Sequence, residues 1–290
     1  MKSITVFLLA ALTILVMGGN AFADTPAKPA EKKLEHGFVQ IYDFGAMKLH
    51  AYQTSDAMLD ECFVLETGKN LVAVESPPFD VNIAEWKQYI ASLGKPLTDI
   101  LISAHPGGGN WYGQAKSHAT ASAAKAIGSG GTKALTDSLG QAFGAGFNTD
   151  MPKIDVILKA GTNTISGITF EIIDAGDSYD IVVPGINVIY THMLGADTHS
   201  ILAGKEHISA VLASLESMQA KGYALILSSH HTPETQADVA AKIADVTKVR
   251  ELAAQSSNKD DFVARVKKEF PDYAGLNYLD MTAGYFFPDK

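Results

Sequence analysis

The sequence predicts an α/β protein in which sheets are covered by helices on their outer faces. Three observations predict it. Short runs rich in β-branched and aromatic residues come in groups. Stretches with apolar residues at helical spacing lie between and after those groups. A strict strand–helix alternation, the mark of a doubly wound parallel sheet, is missing. With 290 residues, 47% hydrophobic and 19% charged, the chain suits one large domain with a real core.

The chain opens with Lys2, an apolar run from Ile4 to Val16 and small residues ending in Ala21-Phe22-Ala23. A basic start, an apolar run shorter than the ~20 residues of a membrane span, and an Ala-x-Ala site read as a cleavable secretory signal over 1–23. A periplasmic or secreted protein is expected, with no stable membrane insertion after cleavage. Residues 24–36 read as a polar tether and 37–290 as a single domain. The formal charge is −9 with no basic cluster, which argues against nucleic-acid and anionic-membrane partners. The single cysteine, Cys62, cannot form an internal disulfide and opens an apolar run, so core burial is expected for it.

Strands are expected at Phe38 to Phe44, Met47 to Gln53, Cys62 to Glu66 and Leu71 to Glu75, with Gly68-Lys69-Asn70 as a hairpin turn. A helix follows, with Asn82 as its cap, Glu85 three residues on, and Trp86, Tyr89, Ile90 and Leu93 on one face. Gly94 and Pro96 end it before an apolar strand at Asp99 to Ile102. Residues 105–150 are rich in Gly, Ala and Ser, with helical pieces around Ala119 to Ala126 and Thr132 to Phe143. They read as a surface excursion beside a site, either a lid or an ordinary helical insertion. Strands resume at Lys153 to Leu158, Gly167 to Ile173, Asp180 to Val183 and Asn187 to Thr191. A helix with Ile208, Val211, Leu212 and Leu215 on one face precedes a strand at Tyr223 to Leu227. Closing helices begin at Thr232, with Pro233 in the first turn, and carry Val239, Ile243, Val246 and Val249 as a buried stripe.

The most informative pattern is a repeated strand ending. Ile100-Leu101-Ile102-Ser103-Ala104 runs into His105, Val188-Ile189-Tyr190-Thr191 into His192, and Leu225-Ile226-Leu227-Ser228-Ser229 into His230 and His231. Ligands of open α/β folds bind at the carboxyl ends of strands, and a neutral imidazole binds metals. A shared cleft is expected there. His105 also opens a loop with Gly107, Gly108, Gly109, Asn110 and Trp111. No Gly-Lys-Ser/Thr follows to make a phosphate loop, and no Gly-x-Ser-x-Gly elbow supports a serine hydrolase. Two Ser-x-x-Lys matches, at Ser92 and Ser122, lack the partner motifs of that enzyme class.

This order of parts resembles the metallo-β-lactamase superfamily over roughly residues 60–235. A strand hairpin (Glu61 to Glu66, Leu71 to Ser76) and a helix precede the strand that leads to the family's His-x-His-x-Asp-His loop, which here begins at His105. Phe170 to Ser178 resembles the strand before the family's Gly-His-Thr, Val188 to Met193 the strand ending in Gly-Asp, and Leu225 to His230 the last ligand strand. The resemblance implies an αββα sandwich: two mixed β-sheets with helices on both outer faces. It also exposes losses. Gly107, Gly109 and Asn110 stand at three ligand positions of the first motif, Asp177 replaces the next histidine, and Met193 replaces the bridging aspartate. The implied function is an exported protein of this fold with most metal ligands lost, an atypical or inactive hydrolase homologue that binds a small molecule or a partner in the remaining cleft. The cleft residues would be Gly107, Gly108, Gly109, Asn110, Trp111, His192 and His231. The alternative is a single-metal zinc hydrolase of an ester- or amide-type bond, with His105, Asp177 and His230 as ligands and His192 swinging in.

Overall fold

The structure, a computed structural model, describes residues 28–288. The signal-peptide reading of 1–23 lies outside the described residues. The first strands form a continuous meander: β1 (Ala30–Lys33), β2 (Gly37–Asp43), β3 (Lys48–Thr54), β4 (Glu61–Glu66) and β5 (Leu71–Val74) pair antiparallel in sequence order. Helix α1 (Asp80–Ser92) then crosses over, so that β6 (Leu97–Leu101) lies parallel to β5. Strands β7 (Lys116–Thr120) and β8 (Val156–Leu158) extend the parallel half, and helices α2 (Ala121–Ser129) and α3 (Gly131–Phe143) lie between them.

The second sheet begins with β9 (Gly161–Ile165), β10 (Ile168–Asp174), β11 (Tyr179–Val183) and β12 (Val188–Tyr190), all antiparallel. Helix α4 (Lys205–Lys221) returns the chain to β13 (Leu225–Leu227), which lies parallel to β12. Helices α5 (Gln236–Gln255), α6 (Lys259–Glu269) and α7 (Leu276–Phe286) complete the described chain. Among the described residues no helix is long and apolar enough to cross a membrane.

Two cores define the layers. The inner faces of both sheets share one, in which the rings of Phe63 and Tyr190 meet edge to face at 6.0 Å. The other seals Val182, Ile189 and Ile226 of the second sheet under α4 to α7. The outer face of the first sheet carries α1, whose Trp86 stacks on Tyr52 at 5.0 Å. Helices on both outer faces of two mixed sheets form the expected αββα sandwich. Cys62 is fully buried and pairs with Tyr52 on the α1 side of the first sheet, and its thiol is pushed up by desolvation first and then by nearby carboxylates.

Several local expectations change. Ala30–Lys33 of the expected tether pairs with Phe38–Ile41 as an edge strand. Asn82 and Glu85 do not cap α1. Asn82 is buried and donates to the His36 carbonyl and the Tyr52 hydroxyl, while Glu85 accepts from the His36 amide and from Tyr52. Residues 116–120 form a buried strand inside the small-residue excursion, and Thr120 caps α2 by accepting from the Ala123 amide. The last helical block starts later than Thr232. Thr235 is the cap, and its reciprocal bonds with Asp238 form a capping box. Thr235→Ala should lower the unfolding free energy by about 1 kcal/mol. Thr232→Ala should change it by less than half as much in the same denaturant titration.

Candidate metal centre and its cleft

The topology explains why three histidine-ended strands meet. β12 and β13 are parallel neighbours, so His192 and His230 leave the same edge of the second sheet side by side. β6 brings His105 from the first sheet to that same edge. A backbone bond stitches the two sheets together there, the Glu61 amide donating to the Ser229 carbonyl at 2.6 Å, while within the second sheet's edge the Ser229 amide donates to the His192 carbonyl at 3.0 Å. The hydroxyl of Ser103 donates to the Tyr179 carbonyl at 2.6 Å and accepts from the Tyr179 amide at 2.8 Å.

One ring nitrogen from each of His105, His192 and His230 lies within 4.8 Å of the others. The Nε2 atoms of His105 and His192 are 3.3 Å apart. Beneath them sits Asp60, which is fully buried. Its Oδ1 lies 3.2 Å from Nδ1 of His105 and 3.2 Å from Nδ1 of His230. These contacts are bent away from hydrogen-bond alignment, which leaves both Asp60 oxygens without an aligned donor among the described residues. They are therefore charge contacts first. Burial alone would raise the Asp60 carboxyl, but His105 and then His230 outweigh it and hold it down at about 2. His105 moves the other way. Desolvation lowers its imidazole, and the Asp60 charge more than reverses that, raising it above the ordinary value. His192 opens to the cleft on one side. Desolvation on its other side, followed by its two imidazole neighbours, lowers it.

Glu75 builds the loop that carries His105. Its side chain is fully buried and accepts from the amides of Ser103, Ala104 and His105 at 3.0, 2.9 and 2.7 Å, and from the Tyr190 hydroxyl at 2.7 Å. Its own backbone is left-handed, with φ of 63°, a conformation that costs a side-chain-bearing residue about 1–2 kcal/mol. Neither Asp60 nor Glu75 stands out in the motif reading. The available signal was position: Glu75 follows the wholly apolar strand Leu71–Val74, and Asp60 stands just before the strand whose centre, Cys62 to Leu65, is apolar.

The fold built around this centre is similar to that of solved structures. A metallo-beta-lactamase family protein from Thermus thermophilus superposes with a TM-score of 0.57 at 13% identity, covering 83% of this chain and 91% of that one. The stereoselective inverting sec-alkylsulfatase Pisa1 from Pseudomonas sp. does so with a TM-score of 0.56 at 16% identity, over 84% of this chain and 49% of its own. The chain has the metallo-β-lactamase fold. It spans about half the length of the alkylsulfatase. No protein-family model matches the sequence, and no curated protein does.

Within the metallo-β-lactamase fold, the remaining expected site residues fall in different places. Gly107 lines the cleft, and a Cβ there would come within 2.9 Å of Pro78, so the position cannot accept a ligand side chain without a backbone shift. Asp177 and Met193 also line the cleft, but Asp177 is exposed and outside the three-histidine group. Gly108 packs toward Ile83 and Gly109 toward Asp150. Asn110 accepts from the Tyr112 hydroxyl and the Lys153 amide, and the Trp111 indole donates to Ser76. His231 turns away toward Asp197, 3.9 Å from it. These residues shape the loops, and the cleft runs past them between α3, α4 and α7.

A two-metal centre does not fit this donor set. A single-metal centre does. Two imidazole nitrogens bound tetrahedrally at 2.0–2.1 Å from one zinc lie about 3.3 Å apart, as the Nε2 atoms of His105 and His192 do. Asp60, facing both Nδ1 atoms, leaves the Nε2 atoms of His105 and His230 to face the ion, which is how carboxylates orient ligand histidines.

Proposed function

We propose that the chain is a single-metal hydrolase whose ion is held by His105, His192 and His230. The observation that carries this reading is the buried Asp60 beneath two of the three converging imidazoles. A divalent ion held by these residues would supply Lewis acidity toward a carbonyl oxygen and a lowered pKa for water. The chain's own residues do the rest. Asp60 sets a negative charge beneath the rings of His105 and His230, the Met58 carbonyl faces Nδ1 of His230 at 3.3 Å, Glu75 fixes the His105 loop, and the apolar cleft excludes bulk water and seats the substrate. The net reaction consumes one water: an ester gives a carboxylic acid and an alcohol, and an amide gives a carboxylic acid and an amine. Action outside the cytoplasm, after removal of residues 1–23, belongs to the same proposal.

The test is zinc stoichiometry by mass spectrometry together with hydrolysis of 4-nitrophenyl esters before and after chelation. One zinc per chain, with activity lost on chelation and restored by zinc, is the expected result. A chain that holds less than a tenth of an equivalent at neutral pH would overturn it and leave only a binding role for the cleft. Asp60→Asn keeps the shape and removes the charge. It should weaken zinc binding about 10–100-fold, the usual cost of losing a partner that orients a ligand, read by competition with a chromogenic chelator.

A further inference from the structure

The cleft beside the three histidines is poorly suited to an anion. We propose that it takes an uncharged molecule with an extended apolar chain, whose ester or amide group lies at the histidines; this deepens the hydrolase reading and rests on it. The cavity measures about 840 Å³, within the range that encloses a small organic ligand. Leu135 and Leu139 of α3, Val211 of α4, Met281 of α7 and Phe147 form its apolar walls. Leu135 and Met281 are 60% and 48% exposed, on different helices that line the same space. Large apolar side chains facing each other across an open cleft lose water contact when a chain lies between them.

The charge pattern narrows the class. Beyond the three-histidine centre and His207, the cleft has no basic side chain among the described residues, neither lysine nor arginine, and its one carboxylate is Asp177. Carboxylate, phosphate and sulfate groups are ordinarily held by guanidinium or ammonium partners, and burying an anion without one is costly. The N-terminus of α3, the nearest alternative anion site, faces Asp177 already: its Oδ2 lies 3.3 Å from where a Cβ on Gly131 would be.

The experiment uses metal-free protein for binding, so that a carboxylate cannot report simply by ligating zinc. Octanamide, octanoate and propanamide are titrated by calorimetry. Octanamide should bind at least ten-fold more tightly than either of the others. Leu135→Gln with Met281→Gln should erase at least ten-fold of that affinity, leaving propanamide binding and zinc content unchanged. Octanoate binding as tightly as octanamide would overturn the neutral-ligand inference, and equal affinity for octanamide and propanamide would overturn the apolar-chain inference. In the zinc-loaded protein, 4-nitrophenyl octanoate should be cleaved with higher kcat/KM than the acetate. Chain selectivity in binding without zinc uptake would sink the hydrolase reading alone, and zinc uptake without chain selectivity would sink this one alone.

Discussion

His192→Ala should cost the chain more than about 100-fold in zinc affinity, beyond the 10–100-fold that loss of an orienting partner costs, while leaving its thermal unfolding unchanged within a degree or two. The asymmetry follows from Asp60. His192 forms no ion pair with that carboxylate and stands open at the cleft, so its removal takes away a nitrogen donor and little else. His105→Ala should lose zinc to at least the same degree and also destabilise the fold by about 3 kcal/mol, because it strips a charge partner from a fully buried carboxylate. Calorimetric unfolding of both variants, alongside zinc titration, separates the two effects. Equal destabilisation by both substitutions would mean that Asp60 is not held by His105. Unchanged zinc affinity in His192→Ala would remove that ring from the centre.

Glu75→Ala should lower the unfolding free energy by about 4 kcal/mol. Three amides lose their acceptor at once and the Tyr190 hydroxyl is left with Ser229 alone, and each buried donor left unpaired costs about 1–3 kcal/mol. The upper end of that range is not reached, because the Ala104 and His105 amides lie in part-buried surroundings where water can replace the carboxylate. Glu75→Gln keeps one acceptor oxygen and should recover roughly half the loss. Glu75→Gly should be about 1 kcal/mol better than alanine, since glycine relieves the left-handed backbone at this position. Denaturant unfolding of the three variants gives the order Gln, Gly, Ala. Alanine ranking equal to the parent would show that the loop before His105 stands without the carboxylate.

Much of the fold was legible because its cues are local. The alternation of Ile168 to Ile172 needed nothing beyond period two, the apolar run Cys62 to Leu65 nothing beyond strand composition, and the stripe of Val239, Val246 and Val249 nothing beyond period 3.6. The strand Lys116–Thr120 was illegible for the same reason. Its Lys-Ser-His-Ala-Thr run has no strand pattern of its own and is buried only because the inner core and α2 cover it. Asn82 and Glu85 carry a sound helix-start signal, but the edge of the first sheet uses both side chains to anchor the chain at His36. A tertiary partner overrode a local preference that amounts to about 1 kcal/mol.

By itself the sequence determined that three apolar strands end in histidine and that the ligand pattern of a two-metal centre is broken, because composition along a strand and the absence of a side chain at Gly107 are properties of the chain alone. Only the tertiary structure decided which groups share a point in space. It brought His192 within 3.3 Å of His105, left Asp177 on the rim, and set Asp60, unremarkable in sequence, under two of the rings. The physical reason is that convergence depends on the pairing of β12 with β13 and on the stitch between Glu61 and Ser229, contacts between residues more than 30 positions apart.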